Sequence, residues 1–325
     1  MRVFAILGGL GSQMFKYAFC IAVKSKVDDD CLIDTSFFSK PRKGSWNGYE
    51  LEDIFGIHAP DIHDMMNNKN GTEATDWYPM AAISHMSTGG GVVYYNRGIP
   101  LLYPQSYPNL GRWQQLSLLY EKIKRRLVWK QRIKLMDKFG DEYPDGFLNA
   151  PQIYVDEFDH RSDKYFKECK KMIKQQFTFP PFDEARNIDV ARRMNAPDSV
   201  AVHVRRSDHM YDNGNLFTTH YFQRAVHLIK NKTNEEYRTF YLFSDDIEWC
   251  MSNLSVLGLE DTDKIAIVDW NKGKDSFRDM QLMTHCQHNI IPISSFSWWG
   301  YYLSDRENKI VCAPQNYWTE VPYHF

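Results

Sequence analysis

A chain of 325 residues with 39 basic and 41 acidic side chains carries a formal net charge of −2 at pH 7. That length predicts one large or two medium domains with a substantial core. The charge balance excludes a protein built mainly to coat nucleic acid, so any basic ligand site is local.

Aromatic residues make up 15% of the chain. A Trp or Tyr face can cover the apolar C–H face of a pyranose, although for any single one core filling is the favoured reading. The six cysteines, Cys20, Cys31, Cys169, Cys250, Cys286 and Cys312, lack CxxC spacing. That points away from a zinc ribbon or a small disulfide framework and toward reduced thiols in a cytoplasmic protein. The apolar run Val3-Phe4-Ala5-Ile6-Leu7 is too short for a signal-peptide core with a cleavage site, and no stretch approaches the length of a membrane span.

In chain order, RVFAILGGLGSQMFKYAFCIAVKSK predicts a strand over 2–7, a glycine turn and a helix from Ser12 to Lys26, because Met14, Phe15, Ala18, Ile21 and Ala22 recur at helical spacing. Cys31-Leu32-Ile33 begins a second strand. The turn GGLGSQ permits close backbone approach to a ligand but lacks GxGxxG spacing, and Asp34 is only a loose match for the acid a dinucleotide site needs. A dinucleotide-dependent oxidoreductase is therefore a weak alternative. Residues 36–115, rich in Gly, Pro, Asn and aromatics, predict irregular insertions. The segment 117–139 predicts a helix with eight Lys or Arg residues. Beside Trp129 such a face would suit an anionic membrane surface, while a solvated face with Ile123, Leu127 and Ile133 packed inward is favoured. A second basic helix spans 164–177, and Pro180-Pro181 then breaks the pattern, which places domains at 1–178 and 179–325.

Beyond that break, apolar runs at 199–204, 239–243, 264–268, 289–293 and 309–313 alternate with helical patterns near 184–195, 219–231, 245–254, 276–287 and 296–304. Such alternation predicts a parallel sheet covered on both faces, with ligands bound outside the carboxyl ends of the strands. Three segments place chemistry at those ends. In HVRRSDH, strand alternation puts His203 and Arg205 on one face, with Arg206 and Asp208 leaving the strand. Two guanidinium forks there suit a pyrophosphate, the alternative being that Arg206 pairs with Asp208 or caps a helix. In YLFSDDIEW, Ser244 reads as a helix N-cap with Asp245 and Asp246 in the first turn. No other carboxylate or histidine has ligand spacing with them, so no metal is assigned. In IIPISSFSWWGYYL, Ser294, Ser295 and Ser297 lie where a strand turns into a helix, an anion cradle reinforced by the helix dipole.

Taken in order, GGLGSQMFKYAF, HVRRSD, LFSDD, DMQLMTHC and SSFSWW resemble the signature of the α-1,2-fucosyltransferases, glycosyltransferase family 11. The resemblance implies an α/β, GT-B architecture of two Rossmann-like domains facing a cleft, an acceptor-side domain at 1–178 and a GDP-fucose-binding domain at 179–325. It implies metal-independent, inverting transfer of L-fucose from GDP-fucose to the 2-hydroxyl of a terminal galactose, with no cofactor beyond the donor. On that reading Arg205 and Arg206 face the departing diphosphate, and Asp208, with Asp212 behind it, is the candidate base. His203, Arg205, Asp246, Ser294, Ser295, Phe296, Ser297, Gly11 and Gln13 hold the donor. Expected partners are GDP-fucose and a galactose-terminated oligosaccharide, with no nucleic acid, and a peripheral contact with the inner membrane surface. The chain departs from the family pattern at Ser12, Lys16 and Ile293, where Asn, Gln and Asn are usual. Two further readings stand beside this one: a catalytically idle GDP-sugar-binding homologue, and a transferase of another linkage or another GDP-sugar.

Overall fold

The computed structural model describes residues 2–27, 30–38, 47–62, 64, 77–79, 92–96, 102–104, 132–134, 148, 152–155, 163–206, 216–234, 236–314 and 323–325. The chain divides into two compact units, Met1–Gln176 and Phe177–Phe325.

In the first unit the strands are β1 (Arg2–Ala5), β2 (Cys31–Asp34), β3 (Trp77–Pro79), β4 (Val92–Asn96), β5 (Leu102–Pro104), β6 (Arg132–Lys134) and β7 (Gln152–Val155). The main sheet has the order β2-β1-β7-β4-β6, with β1 parallel to β2 and β7 while β4 runs antiparallel to β7 and β6. Helix α1 (Leu10–Lys24) packs Phe19, Cys20 and Val23 against Phe4, Ile6 and Ile33. It begins two residues before Ser12 because Gly9 stands extended at φ −75°, ψ 174° and its carbonyl accepts from both Ser12 and Gln13 N–H. The predicted strand over 2–7 ends at Ala5, and Gly8 turns the chain at φ 87°, a conformation that favours glycine. Helix α2 (Leu51–Phe55) follows, and the second basic segment forms a 3₁₀ turn at Lys167–Cys169 and helix α3 (Lys170–Gln176), anchored by buried Ile173.

One expectation is overturned here. Arg132–Lys134, inside the helix expected over 117–139, form β6 and pair antiparallel with Val92–Tyr94. Sheet pairing with distant residues overrides a local helical pattern. The remainder of 117–139, including Trp129, lies outside the described residues.

The second unit follows the predicted alternation and adds one strand, Tyr323–His324, that the pattern did not predict. Its strands are β8 (Ser199–Val204), β9 (Thr239–Ser244), β10 (Ile265–Val268), β11 (His288–Ile290), β12 (Val311–Ala313) and β13 (Tyr323–His324). They lie in the order β10-β9-β8-β11-β12-β13, all parallel. The helices are α4 (Ala185–Met194), α5 (Tyr221–Lys232), α6 (Ile247–Ser252), α7 (Phe277–Met283) and α8 (Ser295–Leu303). On one face Val200, Val202, Val204, Leu242 and Ile290 pack against Phe222, Ala225, Val226 and Ile229 of α5. On the other, Ala201, Tyr241, Phe243 and Val268 meet Val190, Ala191 and Met194 of α4 and Leu282 and Met283 of α7. The buried Tyr221 hydroxyl donates to the carbonyls of Ile291 (2.7 Å) and Cys312 (2.9 Å), tying α5 across two strands.

All six cysteines are thiols, and Cys20, Cys31, Cys250, Cys286 and Cys312 are buried. Burial raises the thiol pKa of Cys20 and Cys286 and pushes Cys312 up to about 12.

Candidate active site

The strand order of the second unit begins at β8, steps outward through β9 to β10, then returns to build β11, β12 and β13 on the other side. In a sheet wound this way, connections leave β8 and β11 toward opposite faces and open a crevice at their carboxyl ends. Arg205 and Arg206 follow β8 directly, and Ser294–Ser297 follow β11.

Each arginine faces a carboxylate from the neighbouring end of β9. Arg205 Nε lies 3.6 Å from Asp245 Oδ2, and Arg206 Nε lies 3.6 Å from Asp246 Oδ2. The Arg206 backbone N–H donates to Asp245 Oδ1 at 2.9 Å. At 3.6 Å the ion pairs are longer than ordinary charge-assisted hydrogen bonds, so they orient the guanidinium groups without a bidentate clamp. The Arg206 guanidinium also lies over the Trp249 ring, 3.8 Å from its centroid. Asp246 rather than Ser244 is the N-cap of α6: its carboxylate accepts from Trp249 N–H at 3.2 Å. Ser244 is still the last residue of β9, and its hydroxyl accepts from Asp246 N–H at 3.0 Å. Asp208 and Asp212 lie outside the described residues.

Across the crevice, Ser294 caps α8 with extended backbone (φ −151°, ψ 120°) and no side-chain hydrogen bond. The first-turn N–H groups of Ser295, Phe296 and Ser297 have no acceptor within the helix, while Trp298 N–H reaches Ser294 O at 3.2 Å. Ser297 is fully buried and its hydroxyl is turned back on Ser294 O at 3.4 Å, which leaves its backbone N–H, not its side chain, at the open end of the helix. Ser294, Ser295 and Phe296 are half-buried. The His203 and Phe296 rings sit 6.0 Å apart, which brings two of the predicted residues together. Ile293 packs against the apolar core beneath β8 and β11. Buried Trp298 and Trp299 anchor the helix, and Gly300 sits so close to α7 that a Cβ there would stand 2.8 Å from Met283 Cβ.

Residue-level reading missed Asp279, in the first turn of α7. Asn271 Nδ2 donates to its Oδ1 at 2.7 Å, Asn187 Nδ2 donates to Asn271 Oδ1 at 2.9 Å, and Trp270 Nε1 donates to Asn187 Oδ1 at 2.8 Å. Burial is the main reason its carboxyl pKa is raised to about 7. The signal was present, since Asp279 opens the DMQLMTHC stretch, but a lone acid at a helix start reads as a complement to the dipole. Its neighbour Arg278 donates to the carbonyls of Pro180 and Pro181, both at 3.0 Å, and so ties the segment after the unit boundary to α7.

The two site residues expected in the first unit behave differently. Gly11 is buried in the first turn of α1. Gln13 is fully buried, donating from Nε2 to Gly8 O (3.0 Å) and Gly48 O (2.8 Å) and accepting from Glu50 N–H (2.9 Å). The amide staples the glycine turn to the loop before α2 and so fixes the shape of that turn. Among the described residues no group of three or more His, Cys, Asp or Glu could hold a metal ion, and no helix is long and apolar enough to cross a membrane.

Residues 147–322, more than half of the chain, match the family described as glycosyl transferase family 11. An alpha-1,2-colitosyltransferase of Escherichia coli is 33% identical over 164 residues, covering 47% of this chain and 52% of the relative. Galactoside alpha-(1,2)-fucosyltransferase 1 of Lagothrix lagotricha is 26% identical over 203 residues, covering 58% of this chain and 52% of the relative. The chain therefore spans about half the length of the curated relatives it matches. The fucosyltransferase NodZ from Bradyrhizobium superposes with a TM-score of 0.48 at 14% identity, covering 92% of this chain and 90% of that one. With one family matching most of the second unit and the end of the first, this chain belongs to glycosyl transferase family 11.

Proposed function

We propose that the protein is an inverting transferase that moves L-fucose from GDP-fucose to the 2-hydroxyl of a terminal galactose without a metal ion. The observation that carries this reading is the convergence of Arg205 and Arg206 with the open N-terminus of α8 at the switch point of one parallel sheet. As the bond between the fucose anomeric carbon and the β-phosphate oxygen breaks, that oxygen takes the electron pair. Fixed positive charge and N–H donors aimed there lower the barrier. Arg205, then Arg206, supply the charge, and the first-turn N–H groups of α8 supply the donors. The acceptor oxygen closes on the anomeric carbon from the opposite face and releases its proton, for which Asp208 is the candidate base. His203 and Phe296, with Asp246, line the nucleoside end of the donor. The relatives named as fucosyl- and colitosyltransferases, both 1,2-linking, support the linkage.

The colitosyl name favours a second reading, in which the donor sugar is colitose. Colitose is fucose without its 3-hydroxyl, so the two donors differ by one hydrogen-bonding group. A peripheral contact with an anionic membrane belongs to the proposal as well, supported by exposed Lys167, Lys170 and Lys171 around Met172, which is 48% exposed. Sedimentation with anionic but not zwitterionic vesicles would be its signature.

The test is GDP release from GDP-fucose, with lactose present or absent and excess EDTA throughout, followed by linkage analysis of the product. Lactose-dependent release and an α-1,2 product are expected. Release only from GDP-colitose would move the assignment to the second donor. Donor binding without release for any galactose-terminated acceptor would identify an idle homologue.

A further inference from the structure

Arg206 is held in an unusual way for a ligand-binding arginine. Its Nε and Nη1 atoms are buried and make no hydrogen bond among the described residues, although its side chain as a whole remains 19% exposed. What encloses it is aromatic: the Trp249 ring centroid lies 3.8 Å from the guanidinium carbon and that of Phe217 lies 5.9 Å away. Phe217 and Trp249 meet edge to face at 4.9 Å and 66°, forming one corner that rests on the apolar core beneath β8. Trp249 is fixed in turn through its backbone N–H, which donates to the helix-capping carboxylate of Asp246, the group whose other oxygen lies 3.6 Å from Arg206 Nε.

An aromatic face attracts a guanidinium without consuming any of its N–H donors. A carboxylate does the opposite, because a bidentate pair would spend two of them. With Asp245 and Asp246 both beside it, an unrestrained Arg206 would collapse onto a carboxylate and be lost to an incoming anion. We infer that Trp249, backed by Phe217, is a positioning residue for Arg206, holding the guanidinium by its face so that its donors stay available to the diphosphate of the donor. This rests on the donor reading above and adds a role for the tryptophan of the LFSDDIEW stretch.

A double-mutant cycle on the full chain tests it, with Trp249→Leu, Arg206→Ala and the double variant compared for GDP affinity by calorimetry and for kcat and KM with GDP-fucose. Trp249→Leu should weaken GDP binding about five- to thirtyfold, the range a desolvated cation–π contact supports. Trp249→Phe, which keeps a ring face, should stay within about threefold of the wild type. In the Arg206→Ala background, Trp249→Leu should cost less than about twofold, because the group it positions is gone. Equal losses in both backgrounds would mean that Trp249 acts only through general packing and would overturn the inference, as would wild-type affinity in Trp249→Leu. If Trp249→Leu does not fold, Phe217→Leu enters the same cycle with an expected loss of about two- to fivefold, again absent without Arg206. A wild-type protein that binds no GDP would overturn the donor reading and this inference together, whereas normal wild-type binding with additive variants overturns the inference alone.

Discussion

Arg205 is the residue on which the proposed chemistry leans most, since it leaves β8 beside the crevice and is oriented by Asp245 at 3.6 Å. Replacing it with Ala should lower turnover about a hundredfold or more, on the scale of one lost charge-stabilising donor, measured as GDP release at saturating donor. Asp279 makes a different, pH-linked prediction. Its carboxyl pKa stands at about 7 in the folded protein against an ordinary value of 3.8. The folded chain therefore holds that proton more tightly, and the contribution of Asp279 to stability falls as pH rises between those values. Urea midpoints at pH 5 and pH 8 should show the wild type losing more stability than Asp279→Asn, and equal losses would refute the assignment. The arginines and serines were legible because strand end and helix start are local patterns. Their partners were not: Asp245 is 39 residues from Arg206 and meets it only through the β8–β9 pairing. The hydrogen bonds of Gln13 were illegible for a related reason, since Gly48 and Glu50 lie more than thirty residues away and burial is a tertiary property that a glycine-rich turn does not announce.

At the level of elements, α8 is the part whose placement matters most, because its first turn forms one wall of the crevice. It is seated by Trp298 and Trp299 and by close approach to α7 at Gly300, where an added Cβ would come within 2.8 Å of Met283 Cβ. Gly300→Ala should destabilise the protein by about 1–3 kcal/mol, the usual range for overpacking, and should weaken GDP binding as the helix start shifts. Urea denaturation and calorimetry on one preparation would check both. The alternation of strands and helices in the second unit was readable because β8, β9 and β10 are short apolar runs and α4 and α5 each bury one stripe, whereas β13, only Tyr323–His324, gave no such signal. Strand β6 was unreadable for the opposite reason: Arg132-Ile133-Lys134 carries the charge pattern of a helix face and becomes a strand only through β4. Strand β11 stops at Ile290, short of the predicted end, and Pro292, which has no N–H to give a ladder, follows two residues later.

For the whole molecule, the division after Gln176 leaves a complete six-stranded sheet, with cores on both faces and all the proposed diphosphate contacts, in Phe177–Phe325. That fragment is expected to fold alone and to bind GDP within about tenfold of the full chain, a rigid-body expectation that calorimetry on the isolated fragment would check. The buried thiols extend the same division. Cys20 and Cys31 belong to one unit and Cys250, Cys286 and Cys312 to the other, each hidden from solvent. A thiol reagent can reach them only when the surrounding structure opens. Mass-resolved alkylation therefore turns the five into paired clocks, timing how often each half of the chain comes apart while the other stays closed.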